Sequence, residues 1–328
     1  MNNFSYTPAT TAQQAGAALK ADKQAAFIAG GTALVDLMKA HVEDHSQLVD
    51  INRLPLLGIS ATATGLRLGA LERMSDTAEN TLVVKEFPAV SQALLLSASP
   101  QLRNMASLGG NLLQRTRCPY FRDVAFPCNK RVPGSGCPAQ TGDNRTLAIL
   151  GTSPACIATH ASDFTVPLVA FDAVLSLTDA KGQTRQVPLL DFYKLPGLTP
   201  HIENQLQPGE LITAITIPNA AHARRSLYLK VRDRASYAYA LVSAAVGLDV
   251  QAGVIRSARV ALGGVGTVPW RAQAAEKLLV GQAPTEATFR AAAAAAVREA
   301  SPREHNKFKV DLAQRTLVRA LTDVAALG

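Results

Sequence analysis

Ile28-Ala29-Gly30-Gly31-Thr32-Ala33-Leu34 links a short apolar run over 26–28 to a helical pattern over 33–39. Two adjacent glycines allow backbone N–H groups to approach a ligand closely, and the positive end of the following helix points to the same place. The segment therefore predicts a strand, a pyrophosphate-binding loop and a helix. An ordinary tight turn from strand to helix is the alternative that the local sequence leaves open.

A second glycine pair lies in the segment Leu102-Arg103-Asn104-Met105-Ala106-Ser107-Leu108-Gly109-Gly110-Asn111. It follows a helical pattern over 87–96 that ends before Pro100, since proline cannot continue a helix. The glycines again allow close backbone approach, and the serine and asparagine add hydrogen-bonding groups. Polar residues further along the chain, at Ser162-Asp163 and Lys230, strengthen the prediction that the glycine segments bind a ligand.

Hydrophobic periodicity predicts a protein that mixes helices and strands. The predicted strands cover 48–51, 66–70, 173–178, 184–187, 212–217, 227–231, 241–250 and 256–262, and the predicted helices cover 33–39, 87–96, 167–173, 285–299 and 307–326. A domain boundary is expected near 218–223. Residues 101–160 are rich in Gly, Pro, Asn, Arg and Cys and weakly periodic, and a stretch of this length is usually functional.

Composition limits the function classes. The chain has 328 residues, 48% hydrophobic and 18% charged, which predicts two or three packed units. No apolar run reaches the roughly 18 residues that a membrane span requires. The start, Met1-Asn2-Asn3-Phe4-Ser5-Tyr6, lacks a signal-peptide pattern, so we expect a cytoplasmic location, or a periplasmic one by co-export with a signal-bearing partner. The formal charge of +8 is spread along the chain, which argues against nucleic-acid binding.

All four cysteines of the chain, Cys118, Cys128, Cys137 and Cys156, fall within one 39-residue window. Such clustering indicates a shared metal site or disulfides, and the size of the chain favours the metal. The gaps of nine, eight and eighteen residues fit neither the close pairs of structural zinc sites nor the compact ferredoxin motif. An iron–sulfur cluster, a zinc ion, and disulfides or free thiols therefore all stay open on spacing alone.

Basic residues are concentrated around the same cysteines. Six of them lie between 115 and 145 against two acids, Asp123 and Asp143. The six are Arg115, Arg117, Arg122, Lys130, Arg131 and Arg145. They could offset the negative charge of a thiolate cluster, or they could form a solvated or partner-facing surface.

The two glycine segments, Ser162-Asp163, the segment 227–232 and the segment 260–265 together resemble the FAD subunits of the molybdenum hydroxylases, the xanthine dehydrogenase and carbon monoxide dehydrogenase group. The resemblance covers nearly the whole chain. It implies an α+β protein with a two-lobed FAD-binding domain of the PCMH/vanillyl-alcohol-oxidase type over 1–220, with lobes 1–58 and 59–220. A smaller C-terminal domain over 221–328 would hold a three-stranded antiparallel sheet with helices.

The resemblance also implies which residues bind FAD. The first glycine segment would hold the pyrophosphate, the second would line the flavin, Asp163 would bind the ribityl chain, and Ile212 and Lys230 would lie near the isoalloxazine. The full implied set is Phe27, Ile28, Ala29, Gly30, Gly31, Thr32, Ala33, Leu34, Asn104, Ser107, Leu108, Gly109, Asn111, Asp163, Ile212 and Lys230.

An insertion over about 115–158 separates the second glycine segment from Ser162-Asp163, whereas most members of the family join them within a few residues. A smaller set, which includes 4-hydroxybenzoyl-CoA reductase and the periplasmic aldehyde oxidoreductases, carries such an insertion with a [4Fe-4S] cluster. The sequence Arg117-Cys118-Pro119-Tyr120-Phe121-Arg122-Asp123 is most similar to the aldehyde oxidoreductase type. The resemblance therefore implies that the four cysteines hold a [4Fe-4S] cluster.

The implied function is electron relay within an oxidoreductase. A large partner subunit would carry a molybdenum cofactor and oxidise the substrate, expected to be an aldehyde. A small partner would carry [2Fe-2S] clusters, and electrons would reach FAD in this chain and leave to an external acceptor. The alternatives are a stand-alone flavin oxidoreductase, for which no convincing His/Glu pair is found, and a non-redox subunit with a structural zinc.

Overall fold

A computed structural model describes residues 1–327, so Gly328, the last residue of the expected C-terminal domain, lies outside the described residues. The strands are β1 (Ser5–Pro8), β2 (Ala25–Ile28), β3 (Gln47–Asp50), β4 (Ile59–Ala61), β5 (Gly65–Gly69), β6 (Val174–Thr178), β7 (Thr184–Pro188), β8 (Leu211–Pro218), β9 (Ser226–Val231), β10 (Val242–Gln251), β11 (Val254–Gly263) and β12 (Trp270–Arg271).

The helices are short in the first two thirds of the chain and longer near its end. They are α1 (Ala12–Ala21), α2 (Leu34–Lys39), α3 (Met74–Glu79), α4 (Thr81–Glu86), α5 (Pro88–Leu95), α6 (Pro100–Met105), α7 (Leu108–Leu112), α8 (Pro119–Arg122), α9 (Thr165–Ala170), α10 (Leu189–Phe192), α11 (Ala221–Arg224), α12 (Gln273–Leu279), α13 (Glu286–Ala296) and α14 (Phe308–Ala325). Within the described residues, none of these helices is both long and apolar enough to cross a bilayer.

The N-terminal sheet is small and parallel, with strand order β1-β3-β2. Helix α1 connects β1 to β2, and the Thr11 side chain caps its first turn by accepting a hydrogen bond from the backbone of Gln14. β2 ends at Ile28, which pairs with Asp50 of β3. The first glycine segment therefore leaves the sheet at the carboxyl end of a strand, as the sequence predicts.

The central sheet is antiparallel, with strand order β4-β5-β8-β6-β7. The alternation over 212–217 places Ile215 and Ile217 in a buried core that also contains Phe87 and Phe171. Helices α3, α5 and α9 supply the other face of this core. β8 contacts α7, which lies within the second glycine segment, and Ile212 of β8 therefore lies close to that segment.

The C-terminal sheet has the order β12-β11-β10-β9 and carries α12, α13 and α14 on its buried face. The sequence predicts three antiparallel strands here, and the structure adds β12 as a fourth. β12 consists of Trp270 and Arg271 alone, which pair with Leu262 and Ala261 of β11. Two residues are too few to show alternation, and so the pattern gave no sign of this strand.

The sequence predicts 101–160 as a long irregular stretch, and the structure breaks it into short pieces. α6, α7 and α8 and a 3-10 helix at Pro138–Gln140 alternate with turns through this region. The segment 115–158 forms a buried cluster with Leu37 and Val42, in which Phe121, Leu147 and Ile157 pack beside cysteines. Its apolar contacts explain why a stretch with weak periodicity is nevertheless well packed.

Candidate functional site

A cleft of about 1300 Å³, counted to its open mouth, lies between the N-terminal sheet and the second glycine segment. Both glycine segments line it, as the sequence predicts. Its walls are Phe27, Ile28, Ala29, Gly30, Gly31, Thr32, Ala33, Leu34, Leu37, Glu43, Ile51, Ala70, Leu71, Met74, Ala98, Leu102, Ala106, Ser107, Gly109, Gly110, Asn111, Leu113, Gln114, Arg115, Arg117, Leu211, Ile212 and Tyr239. A largely apolar cleft with a few converging polar groups is the usual form of a cofactor site.

The first glycine pair has two separate structural roles. A Cβ on Gly30 would lie 1.9 Å from the carbonyl oxygen of Met105, so only glycine lets this loop touch the end of α6. Gly31 has a φ of +71°, a left-handed conformation that other residues rarely adopt. The two requirements bring the two glycine segments into direct contact. α2 itself has only six residues, so the exposed backbone N–H groups contribute more here than a helix dipole does.

A buried polar network lies behind the cleft. The Asp163 carboxylate accepts hydrogen bonds from Lys230 Nζ at 2.8 Å and from the Tyr228 hydroxyl at 2.6 Å. Burial, followed by the charge of Asp163, raises the pKa of Tyr228 well above its usual range, which keeps this hydroxyl a donor. Ser162 Oγ donates to Asn111 Oδ1 at 2.6 Å, which links the network to the second glycine segment across the insertion.

Asp163 faces a second cavity of about 840 Å³, counted to its open mouth, that shares Arg117 and Tyr239 with the cleft as lining residues. Ser162, Thr159 and Ser243 also line this cavity. Arg117 and Tyr239 therefore stand between the cleft of the glycine segments and the cavity of Asp163.

Not every residue of the predicted FAD set lies on a cavity wall. Leu108 is completely buried in the central core, where it supports the glycine segment from behind. Asn104 is exposed on α6 and does not line the cleft. Lys230 stands behind Asp163, and its side chain is only 1% exposed, so it holds the carboxylate in place. Positions beside a glycine motif do not all face its ligand, because α6 and α7 each turn some side chains away.

Several cleft residues are absent from the predicted set. Arg115 and Arg117 precede the first cysteine and line the cleft, and Tyr239 closes it from the C-terminal side. The Arg117 guanidinium carbon lies 5.3 Å from the centroid of the Tyr239 ring, within the range of a cation–π contact. The sequence indicates the two arginines only as residues that offset cluster charge or form a surface.

The insertion brings all four cysteines around one small cavity. Cys118, Cys128 and Cys156 are buried, Cys137 is half-buried, and all four thiols are free. Phe121, Ala139 and Ala158 provide an apolar wall. A disulfide arrangement, which the spacing left open, is therefore not what the structure forms.

Burial makes these thiols hard to ionise. It raises the pKa of Cys118 to about 12, and it also raises the pKa values of Cys137 and Cys156. The ammonium of Lys130 opposes the shift in the pKa of Cys156. Thiolates would be stable in this cavity only beside a cation or a metal centre.

The six basic residues around the cysteines are all held by intramolecular contacts. Five pair with carboxylates: Arg115 with Glu43 and Glu203, Arg117 and Arg122 with Asp36, Lys130 with Glu203, and Arg145 with Asp233. Arg131 donates to three backbone carbonyls of the insertion. Five of the six basic residues thus pair with acids that are distant in the sequence and that the local pattern does not show. The two interpretations of the group, compensation of cluster charge and a solvated or partner-facing surface, stay predictions.

His160 follows the last cysteine, Cys156, and precedes Asp163 in the chain. Its Nε2 lies 3.0 Å from Thr165 Oγ1, and its ring meets the edge of the Tyr193 ring. Burial, followed by the charge of Lys130, lowers the pKa of His160 to about 3. His160 is thus neutral at ordinary pH and does not line the cysteine cavity.

Two family models match this chain. The FAD binding domain in molybdopterin dehydrogenase matches residues 2–220, and the CO dehydrogenase flavoprotein C-terminal domain matches residues 227–324. The two matches follow each other with a short gap and cover almost the whole chain. They confirm the family that the glycine segments predict.

Named relatives and solved structures agree. The chain is 47% identical over 329 residues to the aldehyde oxidoreductase FAD-binding subunit PaoB of Escherichia coli (strain K12), with 99% of each protein covered. It is 30% identical to the glyceraldehyde dehydrogenase medium chain of Sulfolobus acidocaldarius, with 85% of this chain and 82% of that protein covered. A chain of the crystal structure of quinoline 2-oxidoreductase from Pseudomonas putida 86 superposes with a TM-score of 0.76 at 26% identity, with 99% of this chain and 97% of that chain covered. The α+β fold class is thereby confirmed, and the chain belongs to the FAD-binding medium subunits of the molybdenum hydroxylase family.

Proposed function

We propose that this chain is the FAD- and [4Fe-4S]-binding electron-transfer subunit of a molybdenum-cofactor aldehyde oxidoreductase complex. The observation that carries the proposal is the pairing of one cleft lined by both glycine segments with one cavity lined by all four cysteines. The 47% identical relative is named as a subunit of an aldehyde oxidoreductase, which supports an aldehyde substrate. Partner subunits would hold the molybdenum cofactor and the [2Fe-2S] clusters.

The cleft fits FAD in shape and chemistry. Gly30 and Gly31 would hold the diphosphate through backbone N–H groups, Ser107, Gly109 and Asn111 would line the flavin, and Asp163 would bind the ribityl chain. Bound FAD would supply reversible one- and two-electron chemistry. The contribution of the chain is to hold the cofactor and orient it, and Lys230 fixes Asp163 for that purpose. We also propose that the chain has two domains. The FAD-binding domain covers 1–220, with lobes 1–58 and 59–220, and the C-terminal domain covers 221–328.

The cysteine cavity fits a cluster better than a single ion. Four buried or half-buried thiols around one apolar space match the four-cysteine ligand set of a [4Fe-4S] cluster. The cysteines also lack the close ligand pairs that are usual in structural zinc sites, which favours the cluster over zinc.

Two other functions stay as alternatives. A stand-alone flavin oxidoreductase would need a proton-transferring group beside the flavin, and the neutral, packed His160 does not supply one at the cleft. A non-redox subunit would keep the cysteines for zinc. The location, cytoplasmic or periplasmic with a signal-bearing partner, does not affect the chemistry proposed for the cleft.

Metal and flavin content of the full chain, purified without oxygen, tests the proposal. We expect about four irons, only traces of zinc, and one FAD per chain. One zinc without iron would replace the cluster by a structural zinc site. A colourless protein without FAD would contradict the electron-transfer function as a whole.

Single cysteine variants locate the metal. Cys118→Ser, Cys128→Ser, Cys137→Ser and Cys156→Ser should each lose most of the iron, since each removes one of four ligands. His160→Gln is the control, because His160 lies beside Cys156 in sequence but outside the cysteine cavity. Iron loss in His160→Gln equal to that in the cysteine variants would contradict the ligand assignment.

A further inference from the structure

Arg117 connects the cysteine-bearing insertion to the FAD cleft. It directly precedes Cys118, and its side chain lines both the cleft and the cavity that contains Asp163. Among residues 1–327 its only hydrogen-bond acceptor is Asp36, at 3.1 Å, and its buried Nε has none. The guanidinium therefore retains free donors beside the cleft.

The charges around Arg117 do not cancel. Arg117 and Arg122 share the single carboxylate of Asp36, which leaves one net positive charge. Arg115, the other arginine of the cleft, pairs with two carboxylates and has no such surplus. The wall of the cleft that the insertion forms therefore carries one positive charge, at Arg117.

The position of Asp36 directs this cation toward the first glycine segment. Asp36 lies in the first turn of α2, which begins at Leu34 directly after the Gly30-Gly31 loop. A carboxylate at that place would repel an anion held by the loop, and the two arginines neutralise it. Arg117 alone of the two also reaches the cleft wall, because Arg122 lines neither cavity.

We propose that Arg117, carried by the cysteine-bearing insertion, binds the diphosphate of FAD. A guanidinium donates to phosphate oxygens in a fixed fork geometry, which a lysine or an amide cannot reproduce. The insertion would then supply a flavin contact as well as the proposed metal site. The inference rests on the proposed FAD site.

Two variants separate the contact from the ion pair. Arg117→Gln and Arg122→Gln each remove one partner of Asp36, but only Arg117→Gln removes a group from the cleft. FAD is stripped from each full-length protein, and its rebinding is titrated by flavin fluorescence. We expect Arg117→Gln to weaken FAD binding about tenfold or more, since a hydrogen bond to a charged group is worth about that much. Arg122→Gln should change it less than about twofold, and Arg117→Lys should fall between them.

ADP, which shares the diphosphate but lacks the flavin, identifies the part of FAD that is held. In competition with FAD, ADP should lose as much affinity for Arg117→Gln as FAD does. Unchanged ADP binding, or equal losses in the two glutamine variants, would overturn the inference. Melting temperatures of all variants within a few degrees of each other show that they are folded. Wild-type protein that takes up no FAD would instead contradict the proposed function itself.

Discussion

Asp163 and Lys230 form an ion pair at 2.8 Å in which the two side chains are only 7% and 1% exposed. The pair joins the segment after the insertion to β9 of the C-terminal domain. Tyr228 of the same strand and Ser97 also donate to the carboxylate. The carboxylate that faces the second cavity is therefore held by hydrogen bonds from both sides of the insertion.

Removal of the Asp163 charge should strongly destabilise the protein. Asp163→Asn leaves the Lys230 ammonium buried without a counter-ion, which typically costs about 3–5 kcal/mol of unfolding free energy. Urea unfolding of wild type and variant measures the loss. The double variant Asp163→Asn/Lys230→Met should recover part of it, because no buried charge is left alone. A double variant less stable than the sum of both single changes would contradict this account.

The close contact at Gly30 makes a second prediction. Gly30→Ala places a methyl group 1.9 Å from the Met105 carbonyl oxygen, so the two glycine segments must separate. We expect a loss of about 1–3 kcal/mol in unfolding free energy, and weaker FAD binding. Gly110→Ala is the matched control in the other glycine pair, since its methyl would approach only the Ser107 hydroxyl. Equal losses of stability in the two variants would contradict the role given to Gly30.

The sequence predicted those parts of the site whose conformation depends on residues close together in the chain. Gly30 and Gly31 are required by a backbone contact and a left-handed turn, and such demands are visible in the sequence itself. The strands with clear alternation, such as the run over 212–217, are confirmed for the same reason. The two-residue strand Trp270–Arg271 is too short to show an alternating pattern, so it was not predicted.

Long-range pairing is what the sequence could not show. Arg117 and Asp36 are 81 positions apart, and Arg115 and Glu43 are 72 apart. Each of these pairs depends on where the insertion folds back against α2, and a single sequence holds no sign of that. The acidic partners of the basic residues around the cysteines therefore could not be predicted from the sequence.

His222 should make stability sensitive to acid. Burial, followed by the charge of Arg259, lowers the pKa of His222 to about 4, while an unfolded histidine titrates near 6.5. Between these values the unfolded chain binds a proton that the folded chain does not, so stability falls as the pH is lowered through this window, by up to about 1.4 kcal/mol per pH unit. The stability advantage of wild type over His222→Gln should shrink from pH 6.5 to 4. Parallel curves of unfolding free energy against pH would contradict it.

Lys309 should anchor the end of the insertion to the C-terminal domain. Its side chain is completely buried, and Nζ donates to the carbonyl oxygens of Thr146, Leu147 and Gly264 at 2.9, 3.0 and 2.8 Å. Lys309→Met leaves the Gly264 carbonyl oxygen without this donor, whereas the Thr146 and Leu147 carbonyls keep hydrogen bonds from Thr159 and Asn306. One unpaired group costs about 1–3 kcal/mol, so we expect a loss of about that size in unfolding free energy, whereas the exposed Lys307→Met should change it by less than about 0.5 kcal/mol. Because Thr146 and Leu147 belong to the insertion, Lys309→Met should also release iron faster to a chelator than Lys307→Met does. Equal release rates would show that the carbonyl contacts support the fold without holding the cysteine cavity.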